Sequence, residues 1–394
     1  VPNTLITPSV IAKESLISFE NDMVLGGLVH RDYKKEFVKI GSKVSIRKPV
    51  RFLASDGATR VNQSVSESTT DITINKRKHV SWTFSMQDLT LTVDEYNKRY
   101  IHPATAALAN IVDSDLADLS TDFFQKVGTP GVTPATFAVF ANAAQKADEQ
   151  LWPKQRSMVM NPKAQWTMAD AFDTNVFSTK LTEDAIRRGA LGQIAGFTLY
   201  TDANIKTFTP GTSTMITPYV DGAGQTGSSV LLKGNSSGGT WKKGDLVTFA
   251  GCYDVNPMSG DAYSHLKQFV ITELCTAVLT VVTLKIYPPI ITSGAYKTCS
   301  ASPDDSGVVT KNDTTYYSTD QVRNMAFTKN AMALVMVPLE LPQGAAFKAR
   351  ETYKNISIRV VKDYDIDTDE DIIRLDIMYG VKTIYPEMGI VMLG

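Results

Sequence analysis

The sequence predicts an α+β chain in which a small antiparallel β-barrel interrupts a larger mixed domain. Three observations carry this. Ile101, Leu108, Ile111, Val112, Leu116, Leu119 and Phe123 keep helical spacing over one long stretch. From about Ile205 to Pro303 helical periodicity vanishes, and Gly, Thr, Ser and Val dominate a series of short strand patterns, the signature of a small barrel. After Asn324 the mixed character returns.

The elements follow in order. Thr7-Pro8 reads as a helix cap with proline at the first helical position, opening a helix to about Met23 with Val10, Ile17 and Val24 seven apart. Short strands are expected near 36–40 and 44–48. The stretch 54–70, rich in Ser, Thr, Gly and Asn, reads as a mobile loop. Beyond it Ile72, Ile74, Val80, Trp82 and Phe84 alternate with the period of a half-buried strand. Residues 47–85 therefore read as a long two-stranded arm, which is marginal alone in water and needs a surface to lie on.

Thr92 and Glu95 form a capping-box pattern ahead of the longest helix. Run to Gly128, that helix would span roughly 50 Å, although Pro103 predicts a kink or a false start within it. A second helix starts at Thr133-Pro134 and fades before Trp152-Pro153. A strand at 157–160, a helix capped by Asn161-Pro162 and a short helix from Thr182 follow. The last places Glu183 and Asp184 first and Arg187 and Arg188 last, matching the helix dipole. The barrel segment supplies strands at 229–233, 246–250, 268–273 and 277–286. A strand at 331–337 and a hairpin of 356–366 with 371–381 complete the chain.

Composition narrows the function. At 394 residues the chain exceeds one ordinary domain, and 43% hydrophobic residues suffice for real cores. Lys+Arg 40 against Asp+Glu 41 leaves a net charge of -1, without the basic excess that counterion release rewards, so any nucleic-acid contact is expected to be weak and local. No apolar run approaches the ~20 residues of a membrane span, and the run from Val278 to Leu284, broken by Thr280 and Thr283, reads as a strand. The first residues lack the pattern of a signal peptide, and Cys252, Cys275 and Cys299 include no close pair. A reducing compartment and free thiols are expected.

Several motifs invite chemistry that their context refuses. Gly222, Gly224 and Gly227 spell a dinucleotide fingerprint, but a strand pattern follows where a helix is required. Ser236, between Gly234 and Gly238, matches a hydrolase elbow, with Asp245, Asp254 and His265 following in chain order, yet no helix follows there either. The series Asp363, Asp365, Asp367, Asp369 and Asp371 has Thr368 and Arg374 where a calcium loop needs Gly and Glu. Lys76-Arg77-Lys78-His79 is the one concentrated basic patch, close to Trp82. On an arm it suits the acidic groups of a neighbouring subunit. His30, His102 and His265 lack metal-ligand spacing. No residue is assigned a catalytic, metal or cofactor role, and no cofactor is expected.

Certain stretches resemble capsid sequences. Ser157-Met158-Val159-Met160-Asn161-Pro162 resembles the strand and turn before a capsid A-domain helix, and 189–200 resembles the G-x-I-x-G-F turn and strand. Segments 330–335 and 374–381 are similar to later core strands. Residues 241–249, 3–8 and 28–33 resemble the phage P-22 coat-protein group. The order of these pieces spans nearly the whole chain.

The resemblance implies the α+β, HK-97-like capsid fold. It comprises an N-terminal arm (1–46), an E-loop (47–86), a P-domain with the spine helix (87–152), a first A-domain part (153–204), an inserted β-barrel I-domain (205–303), a second A-domain part (304–350), the P-domain hairpin (351–384) and a last A-domain segment (385–394). It implies a major capsid protein of a tailed bacteriophage, assembled in the host cytoplasm through pentamers and hexamers into a procapsid around scaffolding protein. The shell then expands to enclose double-stranded DNA. The implied partners are further copies of the chain, scaffolding and portal proteins and weakly held DNA, with no membrane. Candidate inter-subunit contacts are Arg51, Lys76, Arg77, Lys78 and Trp82 on the arm, and Asp221, Gly222, Gly224 and Gly227 at the barrel's Gly-rich tip. Alternatives are an encapsulin-like nanocompartment shell, a serine hydrolase using Ser236, His265 and an Asp, and a glycan-binding virion protein.

Overall fold

A computed structural model describes residues 8–32, 43–52, 60, 62, 67–85, 97–174, 192–213, 218–313, 315, 317–345, 347–365 and 370–394. The expected strand at 36–40, the Thr92/Glu95 cap, the helix from Thr182 and the turn at Thr368 lie outside these residues. Contacts divide the chain into two units. One comprises Val1–Arg47, Thr69–Ala117 and Met332–Ile384; the other comprises Lys48–Ser68, Asp118–Ala331 and Tyr385–Gly394.

In the first unit, helix Pro8–Asp22 buries Ile11, Ala12, Leu16 and Phe19. Their spacing follows the 3.6-residue turn. The seven-residue series noted in the sequence falls on the other side, with Val10 and Ile17 exposed. The spine helix is shorter than expected. It runs His102–Ala117, roughly 24 Å, between a π-turn at Asn97–Ile101 and a 3-10 turn at Asp118–Asp122. Pro103 falls in the first turn of the α-helical part, where a residue without an N–H is tolerated. Leu108, Ala109, Val112 and Leu116 form its buried face, and Thr105 Oγ1 meets Ser18 Oγ of the first helix at 2.9 Å.

The same unit holds a five-stranded antiparallel sheet. Its central strand, Glu370–Thr383, pairs with Ile356–Asp365 on one side and Lys76–Ser85 on the other. Phe347–Tyr353 extends the sheet beyond Ile356–Asp365, and Met332–Met336 pairs with the end of the central strand. The alternation read over 72–84 therefore belongs to two strands. Thr69–Thr73 pairs with Lys43–Arg47 as a two-stranded ribbon, whereas Lys76–Ser85 joins the sheet along ten register pairs. Gly380 lies where an added Cβ would come 2.5 Å from the Thr73 carbonyl oxygen, so only glycine lets the ribbon approach the sheet there.

The second unit contains a mixed sheet. In spatial order its strands are Gln125–Val127, Gly389–Leu393, Gln321–Phe327, Arg156–Met160, Phe197–Thr201 and Gln193–Ile194. Helix Phe137–Glu149 and helix Pro162–Thr174 contribute to its core with Phe140, Ala143, Ala164 and Met168 beside Trp152, Met158, Phe197 and Ile390. The Asn161 side chain accepts the Ala164 N–H at 2.9 Å, forming the cap read from the sequence.

The barrel is six-stranded. Tyr219–Val220, Gly227–Lys233, Val282–Ile290, Ala262–Ile271, Leu246–Val255 and Val309–Lys311 lie side by side, all antiparallel. The pair Tyr219 and Val308 brings the last strand back to the first, with Val220 N–H donating to Gly307 O and Val309 N–H to Pro218 O. Its sixth strand lies past residue 303. Inside it Trp241, Phe249, Phe269, Leu284 and the thiols Cys252, Cys275 and Cys299 are buried, all three cysteines free. Each fully buried large apolar side chain contributes about 1.5–3 kcal/mol, which gives the insert a core of its own. One expected strand is corrected: 277–286 is interrupted by a tight turn at 278–281, and the strand begins at Val282.

Candidate assembly surfaces

The basic run lies on the sheet's edge strand, Lys76–Ser85, and its side chains alternate between two faces. Lys76 Nζ lies 2.9 Å from Asp115 Oδ1 of the spine helix, and the Tyr379 hydroxyl donates to Asp115 Oδ2 at 2.6 Å. Burial works against the Asp115 charge, but the Tyr379 hydroxyl and the Lys76 ammonium outweigh it and hold the carboxyl below its ordinary value. Trp82, opposite Ile373, is half-buried with its indole Nε1 buried and unpartnered.

The opposite face carries a cluster the sequence did not single out. Asp376, fully buried, accepts Arg359 Nη2 at 2.6 Å and Arg374 Nε at 2.9 Å, and Arg77 Nη2 approaches at 3.5 Å. Three guanidinium groups on one carboxylate leave the face positive. Burial disfavours the Asp376 charge, yet Arg359 and then Arg374 keep its carboxyl below the usual range. Arg359, Arg374 and Asp376 look like ordinary alternating strand residues. Only the pairing Arg359 to Asp376 to His79 brings them together.

The Gly-rich tip is ordered by side chains. Gln225 Nε2 donates to Asp221 O at 2.8 Å, and Gln225 Oε1 accepts the Leu231 N–H at 2.6 Å. Asp305 accepts the Gly222 N–H at 2.9 Å and pairs with Lys233 at 3.0 Å. These two contacts, the backbone one first, hold its carboxyl below its ordinary value. Gly222, Gly224 and Gly227 all have positive φ, which is why glycine recurs here. Arg51 stands apart from both groups: its guanidinium lies 3.9 Å from Glu387, and its backbone N–H donates to the Tyr296 hydroxyl.

A buried network fastens the barrel to the mixed sheet. Asp245 lies 3.5 Å from Lys311 Nζ and accepts the Lys242 N–H at 2.8 Å and Asn312 Nδ2 at 3.2 Å. Arg323, on the sheet strand Gln321–Phe327, donates to the Gly244 carbonyl at 2.6 Å and stacks 3.7 Å from the Phe208 ring centroid. Burial opposes the charges of Lys311 and Arg323, and Asp245 offsets part of that cost for both. Gln268 adds a second tie, accepting the Lys126 N–H at 2.7 Å.

The tempting motifs are not assembled as sites. Gly227 opens a strand, and Ser236 lies in the loop before the short strand Thr240–Trp241. His265 contacts Asp254 and Glu149, while Asp245 belongs to the network at the barrel root. Asp371 pairs with Lys362 at 2.7 Å; Asp367 and Asp369 lie outside the described residues. Among the described residues no set of three His, Cys, Asp or Glu side chains converges to hold a metal ion, and no helix is long and apolar enough to cross a membrane.

Residues 3–394 match the family model described as P22 coat protein - gene protein 5. The comparison with curated proteins found no match. Similar solved structures include a chain from Mycobacterium phage Che8, with 15% identity and a TM-score of 0.47 over 94% of this chain and 90% of that one. The capsid of Cyanophage P-SCSP1u has 10% identity and a TM-score of 0.47 over 93% and 86%. A virus-like particle from Pyrococcus furiosus has 10% identity and a TM-score of 0.36 over 97% of both chains. These are faint likenesses; the family match is what decides the identity. The chain belongs to the P22 coat-protein family and is a phage major capsid protein, a structural component of the virion, with an α+β fold that carries an inserted barrel.

Proposed function

We propose that this coat protein assembles through pentamers and hexamers into an icosahedral procapsid around scaffolding protein, in the host cytoplasm. The procapsid, closed at a portal, then expands around double-stranded DNA held by weak, non-specific contacts. The single observation that carries the reading is the family match over residues 3–394. The charge balance supports it, because a net charge of -1 avoids strong repulsion among hundreds of crowded copies.

Within this reading the domain divisions expected from the sequence serve as follows. Of the E-loop expected at 47–86, the part before Lys76 lies on the next subunit while Lys76–Ser85 stays in the sheet of its own chain, and the spine helix with the 351–384 hairpin forms the P-domain. The barrel, extended to its sixth strand at Val309–Lys311, is a folding and assembly module. Arg51, Arg77, Lys78 and the tip of Asp221, Gly222, Gly224 and Gly227 are contacts to neighbours. Lys76 and Trp82 hold the edge strand to its own unit, as the Lys76–Asp115 pair suggests.

The test is expression of the chain alone and with its scaffolding protein, followed by negative-stain electron microscopy. Uniform closed shells with scaffold, and sheets or spirals without it, are the expected outcome. Monomers or small closed oligomers under both conditions would overturn the assembly reading.

A further inference from the structure

The turn that interrupts the expected strand at 277–286 has an unusual surface. Val278 and Val281 form a bridge pair in which each N–H donates to the other's carbonyl, at 3.0 and 3.1 Å. Leu279 and Thr280 are thus a two-residue hairpin loop. Such loops favour Asn, Asp or Gly, because the backbone must enter the left-handed region. Leu279 adopts φ 57 there, a conformation that a bulky side chain enters only at a cost. Val278 and Leu279 gain little burial from their own fold in return. Val278 and Leu279 are each 74% exposed and Val281 is 39% exposed.

The turn is also braced from behind. Asn235 N–H donates to the Thr280 carbonyl at 3.0 Å and its Nδ2 approaches the same oxygen at 3.4 Å. Asn235 Oδ1 accepts the indole N–H of the fully buried Trp241 at 3.1 Å. Gly238 N–H donates to Ala277 O, and Ala277 N–H to Gly239 O. A strained loop held in place while presenting three apolar side chains to solvent is pre-organised for contact.

We propose that Val278, Leu279 and Val281 form an apolar knob that seats against a second copy of this chain in the shell. The inference rests on the coat-protein reading and adds a named contact to it. The size of the knob selects the occupant. It offers on the order of 300 Å² of mainly apolar surface, against roughly 800 Å² per partner in a stable one-to-one complex. Alone it is too small to hold an unrelated protein. Repeated once per subunit in a closed lattice, it adds to other contacts and multiplies.

The test compares wild type, Leu279→Asn and Val278→Thr, full chain, with thermal melting of the subunit and the threshold concentration for assembly read in parallel. Asparagine accepts the left-handed conformation, so the Leu279→Asn subunit should melt at the wild-type temperature or above it. Its assembly threshold should rise about tenfold, since an apolar contact worth that factor is lost. Val278→Thr, which keeps the side-chain shape, should move the threshold in the same direction. Thresholds equal to wild type for both variants would overturn the knob while leaving the coat reading intact. Failure of the wild type itself to assemble, with scaffolding protein present, would overturn both. A photoreactive benzophenone amino acid in place of Leu279 should yield coat-to-coat adducts in assembled shells. Adducts exclusively with scaffolding protein would overturn the assignment of a second copy.

Discussion

The ammonium of Lys311 lies 3.5 Å from a carboxylate oxygen of Asp245, and both side chains are fully inaccessible to solvent. Lys311 comes from the last strand of the barrel and Asp245 from the turn before Leu246–Val255, the strand that pairs with it, so the ion pair links two neighbouring strands at one end of the barrel. Asp245→Ala leaves Lys311 buried without a counter-charge and strips the acceptor from Lys242 N–H and Asn312 Nδ2. A loss of about 3–5 kcal/mol is expected, as when one member of a buried pair is removed. Urea denaturation followed by tryptophan fluorescence checks it, since Trp241 lies 5.3 Å from Lys311.

Asp113 caps the chain reversal after the first helix. Its two oxygens accept the N–H groups of Val24 and Gly26 at 2.7 and 2.8 Å from a buried position on the spine helix. Asp113→Ala strands both donors. The expected cost is about 2–6 kcal/mol in chemical denaturation, from roughly 1–3 kcal/mol for each of the two unsatisfied groups.

Acid should unfold the first unit from its carboxylates. Asp115 and Asp376 both have folded carboxyl values below the ordinary one. Each therefore contributes stability that is present above the unfolded value, about 3.9, and lost as pH falls through the lower folded value. The urea midpoint should be flat near neutrality and fall below about pH 4. In Asp115→Asn that fall should be shallower, because one of the titrating groups is gone. A slope identical to wild type would remove Asp115 from the account.

Trp82 offers a change in the opposite direction. Its indole Nε1 is buried without a partner, so Trp82→Phe removes an unsatisfied donor together with some apolar area. The two effects are each about 1–2 kcal/mol and opposite in sign, so the melting temperature should stay within a few degrees of wild type or rise. Trp82→Ala loses the area without compensation and should be clearly less stable.

Much of this fold was legible in residue patterns. The hairpin of 356–366 with 371–381, the Asn161 cap and the main barrel strands all follow from period-two alternation or local capping chemistry, which the chain states over a few residues. The spine helix is shorter than its pattern because apolar residues from Leu119 to Phe123 continue a helical spacing, while the α-helix ends at Ala117 and gives way to a 3-10 turn. The first helix holds a related case. Val10 and Ile17 repeat every seven residues, but burial follows Ile11, Leu16 and Phe19. The division of the arm at Ile74 depended on which strand each half would pair with, and pairing is a long-range choice. The charge clusters around Asp376 and Asp245 were invisible for the same reason. Arg77 is 299 residues from Asp376, and Arg323 reaches Gly244 from 79 residues away.

The bridge between Tyr219 and Val308 has a consequence for how such a chain can change over time. A ring of strands whose first and last members touch hands the polypeptide back beside the place where it departed. To the host sheet, some ninety residues then impose little more geometric demand than a short connector would. The barrel is thus suited to be lengthened or to drift under its own packing rules away from its root, where Arg323 and Lys126 hold it to the surrounding sheet.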